Sequence, residues 1–425
     1  KMLDQFSQNA LYYNRLAALN IQEKKYKEAL LNIEKAIKAD STFYEAYKNR
    51  VVVNLTLGQS GSKNDLHDKA ILKKLVGKQI QLSPNDYTLL IKRGELKLLT
   101  GDTEGALQDG LQIIRNNQNN YNGLDLVASA FQQSGQWAKA LPYIQRMVVL
   151  QPDNTHVSYN LANAYRNTGQ LTPAIELLNK IIDHYPNAAV YYLARANMLA
   201  AKGNISSAKV DYDKAVQIDP KNYNCYSEHA FFDKSIGDTE SARKNLSKAI
   251  ELLNNEIEQN PQDPSLQIQR AELTEHTGNP DKALQQYDDY LKNWPINFSA
   301  LRNKAQIHQS RKEWSQAINT YSTIIDNFPN NAKAYFNRSL ACQQSGNLSG
   351  AMNDLNKAIQ FDSNEFTYFY FRGRIKKQFN DNHGYESDLK TAAALLTRLK
   401  SRRELEQIEQ KMYSAIQKEL ISLGK

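Results

Sequence analysis

The chain has 425 residues, of which 41% are hydrophobic and 23% are charged, and it carries a formal net charge of +8. This length exceeds what one compact core usually holds, so we expect either several domains or a repeat array. No apolar run approaches the ~18 residues of a membrane-spanning helix, which excludes such a helix in this sequence.

The first nine residues contain Met2, Leu3 and Phe6. We expect residues 1–9 to be the end of a preceding helix or an N-terminal cap. Because the sequence opens at Lys1 rather than at a methionine, further sequence is expected upstream.

A period of about 34 residues begins at Ala10 and is clearest in the middle of the chain. Gly135, Gly169 and Gly203 keep this spacing, and so does a set of prolines that begins at Pro152. Between each glycine and the next proline, apolar residues recur at helical spacing. A fixed period with turn residues at fixed offsets predicts a solenoid of helix-turn-helix repeats.

The same register, extended in both directions, predicts eleven repeats. Their first residues are Ala10, Tyr44, Tyr87, Tyr121, Thr155, Ala189, Tyr223, Pro264, Phe298, Ala332 and Phe366. The eighth residue is small in almost every repeat and the twentieth is usually alanine, so the two helices of a repeat are expected to pack closely. Glycine followed by Asp or Asn, as at Gly101-Asp102 and Gly203-Asn204, predicts a left-handed turn and a cap on the second helix.

These features resemble the tetratricopeptide repeat (TPR) family, in which small residues pack a helix pair and a proline closes the repeat. The fourth repeat shows the pattern in Leu124, Ala128, Phe131, Gly135, Trp137, Ala140 and Pro152. The resemblance covers nearly the whole chain from Ala10 onward. It implies an all-α, right-handed α-solenoid (superhelix) of about eleven TPR units with a C-terminal capping helix. It also implies a concave groove lined by the first helix of each repeat.

Two repeats are longer than the common period. Repeat two contains a lysine-rich insertion near residues 60–78, and the added residues of repeat seven predict a lengthened second helix at 240–259. This second departure suggests a joint, with repeats one to seven in residues 10–259 and repeats eight to eleven in residues 264–400. Residues 401–425 repeat nothing, and their apolar stripe predicts an amphipathic capping helix, with a membrane-binding or partner-binding helix as the alternative. The stripe is Leu405, Ile408, Met412, Ile416, Leu420 and Leu423.

The sequence offers little that points to catalysis. No two of the seven histidines have the spacing of a helical zinc pair. No glycine-rich loop ends in Gly-Lys-Ser/Thr, and the Ser-x-x-Lys tetrapeptides that begin at Ser60 and Ser241 lack companion motifs. We therefore predict that the protein is not an enzyme and has no catalytic residue, bound metal or cofactor.

Function is expected to lie in the groove, on one stripe of each first helix. We call residues two, five, nine and twelve of each repeat the inner stripe. The best-placed partner-binding residues are Tyr159, Asn163, Arg166, Leu193, Asn197, Phe231, Lys234, Arg302, Gln306, Phe336, Tyr370 and Arg374. Amide side chains both donate and accept hydrogen bonds, so they can hold a peptide backbone, and aromatic side chains supply anchors. The alternative is a solvated polar wall.

The resemblance also tests one class of partner. Chaperone-binding members hold C-terminal carboxylates with Lys and Asn, then Asn, then Lys and Arg, on three successive repeats. The nearest match places Arg302 and Gln306 first and Asn337 second, but Thr367 and Phe371 occupy the third station. A chaperone adaptor is therefore not expected.

The predicted function is a non-enzymatic scaffold or adaptor that binds an extended segment or a helix of a partner protein. The basic end of the chain after Phe366 favours an acidic partner. The alternative is a bacterial cell-envelope assembly factor, lipid-anchored through upstream sequence, that recruits envelope enzymes. Nucleic acid is a poor third partner. Homo-oligomerisation through the C-terminal helix stays open, as does location in the cytoplasm or in the bacterial periplasm or envelope.

Overall fold

The structure, a computed structural model, describes residues 9–82, 86–261, 263–401 and 405–423. Within these ranges the chain forms 23 helices and no strand. The helices are α1 (Ala10–Gln22), α2 (Tyr26–Ala39), α3 (Tyr44–Thr56), α4 (Lys63–Leu82), α5 (Tyr87–Leu99), α6 (Thr103–Asn116), α7 (Tyr121–Gln133), α8 (Trp137–Leu150), α9 (Thr155–Asn167), α10 (Leu171–His184), α11 (Ala189–Ala201), α12 (Ile205–Ile218), α13 (Tyr223–Ser235), α14 (Thr239–Gln259), α15 (Pro264–His276), α16 (Pro280–Asn293), α17 (Phe298–Ser310), α18 (Trp314–Asn327), α19 (Ala332–Gln344), α20 (Leu348–Phe361), α21 (Phe366–Gln378), α22 (Asn382–Lys400) and α23 (Gln407–Leu423). The expectation for the first residues of the chain lies outside the described ranges.

The helices alternate in length along the chain. The first helix of every pair has 13 residues, and most second helices have 14. The predicted all-α solenoid of about eleven helix pairs with a helix after the last pair is confirmed. None of the helices within the described ranges is long and apolar enough to cross a membrane.

The turn between the two helices of a repeat requires one residue in the left-handed region. Gly169 has a φ of 76°, which glycine adopts without a steric penalty. Where the sequence lacks glycine at this point, Lys24, Lys312 and Asn380 take up φ angles of 57°, 62° and 62°. The geometry of the turn is therefore kept even where the glycine signal is missing from the sequence.

Side-chain caps follow several of these turns. Asp102 caps α6 as predicted, since its carboxylate accepts a hydrogen bond from the backbone N–H of Gly105 at 2.9 Å. Asn204 makes no side-chain cap on α12, so that prediction was wrong. The helix nevertheless begins there because the preceding turn and the buried face of α12 fix its start.

The small residues at the eighth and twentieth positions sit between the paired helices. In repeat five these residues are Ala162 and Ala174, both fully buried in one core cluster with Leu178 and Met198. Their small volume allows α9 and α10 to approach closely. A larger side chain at either position would overpack the core, at a cost of about 1–3 kcal/mol.

Arginine–aspartate pairs, which the sequence analysis did not predict, join the two helices of several repeats. In repeat six, Nε and Nη2 of Arg195 donate to the two carboxylate oxygens of Asp211, both at 2.7 Å. Nη1 of the same arginine donates to Asn179 of the preceding repeat at 2.8 Å. The equivalent pairs elsewhere are Arg50–Asp68, Arg93–Asp109, Arg338–Asp354 and Arg372–Asp388. In most cases the sequence signal is an aspartate sixteen residues after an arginine.

The chain forms two compact units. The first runs to Thr56 and continues from Asn64 to Ala283, and the second comprises Leu57–Lys63 together with the chain from Leu284 onward. The predicted joint between residues 259 and 264 concerns repeats rather than compact units, and it stays a prediction.

Within the first compact unit, the turn of repeat one contacts the start of repeat eight. Nζ of Lys24 lies 2.7 Å from Oδ2 of Asp263, whose side chain is fully buried. The other oxygen of Asp263 caps α15 by accepting from the N–H of Ser265 at 3.0 Å. Desolvation raises the pKa of Asp263, but the hydrogen bonds from Lys24 and Ser265 outweigh it and hold that pKa below its ordinary value.

Within the second compact unit, the loop before α4 contacts the start of repeat nine. The carbonyl of Gly58 accepts from the N–H of Phe298 at 2.9 Å, and the carbonyl of Leu57 accepts from Nδ2 of Asn297 at 2.7 Å. Oδ1 of Asn297 caps α17 through the N–H of Ala300 at 2.8 Å. This buried asparagine thus satisfies its donors and its acceptor in one place.

Three second helices are longer than the rest. The helices α4, α14 and α22 have 20, 21 and 19 residues. After them, α23 buries Ile416 against the last repeat, with Met412 and Leu420 partly buried. Ile408 and Leu423 of the predicted stripe are instead 70% and 37% exposed, so the stripe is narrower than the sequence indicated.

Candidate functional site on the inner stripe

Repeat five exposes an amide and a cationic side chain on its inner stripe. The buried face of α9 is formed by Val157, Leu161 and Ala162, which pack into the repeat core. On the opposite face Asn163 is half-buried and Arg166 is exposed. This division follows from the helical period, which separates the packing face from the solvent-facing stripe.

Aromatic rings outside the inner stripe connect Tyr159 of repeat five with repeat six. The ring of Tyr159 meets the ring of Tyr191 edge-on, with centroids 5.7 Å apart. Tyr191 in turn lies 6.2 Å from Tyr185, which is 48% exposed. Desolvation raises the pKa of Tyr191, and the neighbouring phenols add to the effect. These rings form a partly exposed apolar surface beside Asn163 and Arg166.

Two predicted residues of repeat six serve the fold. Leu193 is half-buried and packs against core clusters on both sides. Oδ1 of Asn197 accepts from the hydroxyl of Tyr212 at 2.6 Å, and its Nδ2 donates to Glu228 of the next repeat at 3.2 Å. Because both ends of the amide are engaged, Asn197 is less suited to partner binding than the sequence indicated.

Repeat seven presents an exposed aromatic residue. Phe231 is 38% exposed, and its ring meets the ring of His276 edge-on at 5.0 Å. Lys234, one turn further along α13, is exposed. Desolvation lowers the pKa of His276, and the charge of Lys234 lowers it further. The imidazole is therefore neutral near pH 7 and gives Phe231 an uncharged neighbour.

Repeats three to five contain an acidic point on the inner stripe. Asp125 is exposed to solvent, yet the surrounding protein desolvates it enough to raise the pKa of its carboxyl. Glu95 acts in the same direction, and His156 acts against both. A cationic group of a partner would stabilise the ionised carboxylate at this point.

In the second compact unit, the predicted cationic residues have internal contacts. The guanidinium of Arg302 donates to Oδ1 of Asn303 at 3.0 and 3.2 Å and lies 6.0 Å from the ring of Phe298, although it stays exposed. Gln306, one turn on, is exposed as well. Both side chains are thus exposed, and their role in partner binding stays a prediction.

The last two repeats use their predicted aromatic residues for packing. Phe336 lies 5.0 Å from the ring of Tyr368 and 5.4 Å from that of Phe371. It belongs to the border of a core cluster and is half-buried. Such a ring contributes to stability through the apolar area that it buries.

Arg374 is contacted by the C-terminal helix. Its Nη1 lies 3.4 Å from Oε1 of Glu419 on α23, and its guanidinium lies 6.0 Å from the ring of Tyr370. The other oxygen of Glu419 accepts from the hydroxyl of Tyr385. The two predicted residues Tyr370 and Arg374 are thus close together, but the guanidinium of Arg374 already contacts the carboxylate of Glu419.

A cavity that the sequence analysis missed opens beside the aromatic row. It has a volume of about 450 Å³ and combines aliphatic residues such as Leu177 with polar residues such as Ser158 and His184. Tyr185 lines it as well as contacting Tyr191. The lining comes from α8, α9, α10 and one connecting turn, so no single motif could have indicated it. A mixed lining of this size suits one side chain of a bound segment.

The described residues provide few groups for metal or thiol chemistry. Among them, no three His, Cys, Asp or Glu side chains come together so as to hold a metal ion. Cys225 and Cys342 are both buried free thiols. Desolvation raises the pKa of Cys225 to about 11 and raises that of Cys342 in the same direction.

The helix pairs and the polar inner stripe define a repeat protein of the α-solenoid class. Family models described as tetratricopeptide repeat match residues 131–198, 189–222, 235–297 and 302–365, which together are more than half of the chain. The chain belongs to the tetratricopeptide repeat family. A comparison with curated proteins finds no match.

Solved structures share the fold at low sequence identity. Yeast Tom70 is 15% identical over 98% of this chain and 95% of that chain, with a TM-score of 0.51. The APC/C hetero-tetramer Cut9-Hcn1 is 15% identical over 96% of this chain and 76% of that chain, with a TM-score of 0.38. At this identity the likeness to Tom70 shows the fold alone. TPR solenoids are a fold class typical of protein–protein interaction scaffolds.

Proposed function

We propose that the protein is a non-enzymatic scaffold that binds an extended segment or a helix of a partner protein along the inner stripe of repeats four to seven. The exposed ring of Phe231 supports the proposal, because a large aromatic side chain that is 38% exposed on the inner stripe presents apolar surface to a partner. Aromatic anchors of this kind supply most of the binding energy at protein interfaces.

The neighbouring side chains suit a polypeptide ligand. Asn163 can hold a peptide backbone through its amide, and Arg166 and Lys234 can pair with carboxylates. Asp125, whose pKa is raised by desolvation, favours a cation one repeat before Asn163 and three repeats before Lys234. The partner segment is therefore expected to carry a basic residue, an apolar anchor and then an acidic residue along its length.

The proposal includes the absence of catalysis. The buried thiol of Cys225, with its pKa raised to about 11, supports this part because a protonated thiol is a poor nucleophile at neutral pH. The alternative role in a bacterial cell envelope would use the same surface, and it stays a hypothesis about the partner and the location.

The test is selection of binding peptides from a random phage-displayed library with the purified protein. The selected peptides are expected to bind Phe231→Ala about 10-fold more weakly, the usual effect of removing an interface anchor. The matched control is Val210→Ala, which removes a side chain 65% exposed on the second helix α12. Equal binding to both variants would show that Phe231 is not in the binding surface.

A further inference from the structure

The second helix of repeat two differs from its counterparts in length and in charge. With 20 residues, α4 is six longer than α2 of repeat one. Lys73, Lys74 and Lys78 are exposed on it, and His67 is exposed about two turns earlier. The insertion in this repeat has therefore produced a cationic helix face and not only a longer loop.

The carboxylates of α4 do not offset this charge at the surface. Its two acidic residues, Asp65 and Asp68, are 0% and 1% exposed. Nζ of Lys69 lies 2.7 Å from Asp65, and the guanidinium of Arg50 donates to both oxygens of Asp68 at 2.6 and 2.5 Å. Each carboxylate is thus compensated inside the repeat, which leaves the exposed lysines as the net charge of the face.

The spacing of the cations matches an extended acidic chain. Lys74 and Lys78 are one helical turn apart, and the row from Lys73 to Lys78 spans about 7.5 Å at 1.5 Å per residue. An extended polypeptide covers that distance in about two to three residues. Lysine side chains are long and flexible, so they can follow carboxylates that alternate along such a chain.

The same face is poorly suited to other polyanions. The sequence of α4 contains no Tyr, Phe or Trp on which nucleic-acid bases could stack. Helices that lie on membranes insert a broad apolar face, whereas Leu72 and Val76 of α4 are buried in the repeat core. Among the side chains of α4 that the structure describes, up to Lys78, the exposed large apolar one is Leu66, at 37% exposure.

We propose that the lysine face of α4 is a docking site for an acidic, extended segment of a partner protein. The site is separate from the inner stripe, because α4 is a second helix and the inner stripe runs along first helices. A partner could therefore engage the two surfaces independently, which would raise its overall affinity if both were reached at once.

The experiment measures fluorescence anisotropy of a labelled eight-residue peptide of alternating Glu and Ser, at low and at physiological salt. The triple variant Lys73→Glu, Lys74→Glu and Lys78→Glu is expected to bind about 10- to 100-fold more weakly, since each lost surface pair contributes modestly. The wild-type affinity is expected to fall as salt is added.

The control variant keeps the same change in net charge. It carries Lys209→Glu, Lys221→Glu and Lys244→Glu, three exposed lysines of the same compact unit outside α4. Its affinity is expected to stay within about threefold of wild type. Circular dichroism would show that both variants keep their helices.

Three results would overturn the proposal. Equal weakening in both triple variants would assign the binding to net charge alone. Failure of the wild type to bind the peptide even at low salt would remove the site. Tighter binding to phosphatidylserine vesicles or to single-stranded DNA than to the peptide would assign the face to lipid or nucleic acid.

Discussion

The ion pair between Arg195 and Asp211 gives a quantitative prediction about what holds a repeat together. The pair joins α11 to α12 through two hydrogen bonds of 2.7 Å. The side chain of Asp211 is 5% exposed and that of Arg195 is 21% exposed. The carboxylate is therefore the partner that water cannot reach if the pair is broken.

Arg195→Ala is expected to destabilise the repeat by about 3–5 kcal/mol, because it leaves a buried carboxylate without its compensating charge. It also removes the hydrogen bond to Asn179 and the guanidinium 5.5 Å from the ring of Tyr192. Asp211→Ala is expected to cost less, about 1–3 kcal/mol, since the arginine left behind can turn toward solvent. We therefore expect Arg195→Ala to lower the free energy of unfolding more than Asp211→Ala does.

Another repeat of the chain has two apolar residues at the positions of this ion pair. The equivalent residues of repeat five, at the same two positions of the repeat, are Leu161 and Leu177. A double variant with Arg195→Leu and Asp211→Leu is expected to lie within about 1 kcal/mol of wild type, because apolar pairs often replace buried ion pairs without loss.

Hydrogen exchange measured by mass spectrometry on the peptides of α11 and α12 is the suitable assay, because repeat arrays do not always unfold in one transition. Urea unfolding followed by circular dichroism would supply the global change. The reasoning would be refuted if Asp211→Ala cost more than Arg195→Ala. It would also fail if the double leucine variant cost as much as the two alanine variants added together.

Two further predictions concern the contacts between distant repeats. Gly58→Ala should lower the free energy of unfolding by about 1–3 kcal/mol, because Gly58 has a positive φ and an added Cβ would lie 2.5 Å from the Asn297 amide. Gly61→Ala is the control: Gly61 also has a positive φ but no neighbour near the added Cβ, so this variant should cost less in the same urea titration. Equal losses in the two variants would show that the contact with Asn297 is irrelevant. Asp263→Asn should lower the urea midpoint at pH 7, because the folded-state pKa of Asp263 lies below its unfolded value and its contribution is fully present above that unfolded value. The difference from wild type should shrink as pH falls below about 4 and the carboxylate bound to Lys24 takes up a proton; a gap that is unchanged at pH 3 would contradict this reasoning.

The helices were predictable because their signals are local and repeated. A glycine at the position of Gly169 and an alanine at the position of Ala174 recur in most repeats, so the helix bounds predicted for one repeat can be checked against those of the others. The contact between Lys24 and Asp263 joins residues that are 239 apart, and nothing in either neighbourhood of the sequence indicates it. Long-range pairing of this kind depends on how small rotations between repeats accumulate.

The candidate site was predictable only as a stripe. The helical period places Asn163 and Asn197 at the same position of successive repeats, and both are half-buried. Whether such an amide is available depends on its neighbours: Asn197 is engaged by Tyr212 and Glu228, and Arg374 by Glu419. These partners lie between 15 and 45 residues away, beyond the reach of a motif.

Position seven of the repeat explains why the ion pairs escaped notice in the sequence. It holds Arg195 in repeat six and Leu161 in repeat five, and in repeat seven it holds His229, which stacks on Tyr212 with ring centroids 5.3 Å apart. The arginine and the leucine face position twenty-three of their own repeat, whereas His229 stacks on a residue of the preceding repeat, so position seven has no single residue type or contact. Arginine at position seven meets aspartate at position twenty-three in four repeats, but repeat eight combines Arg270 with Gln286. An arginine alone therefore does not indicate the ion pair, and in the four repeats that form it the pair of positions carries the information that neither residue carries alone.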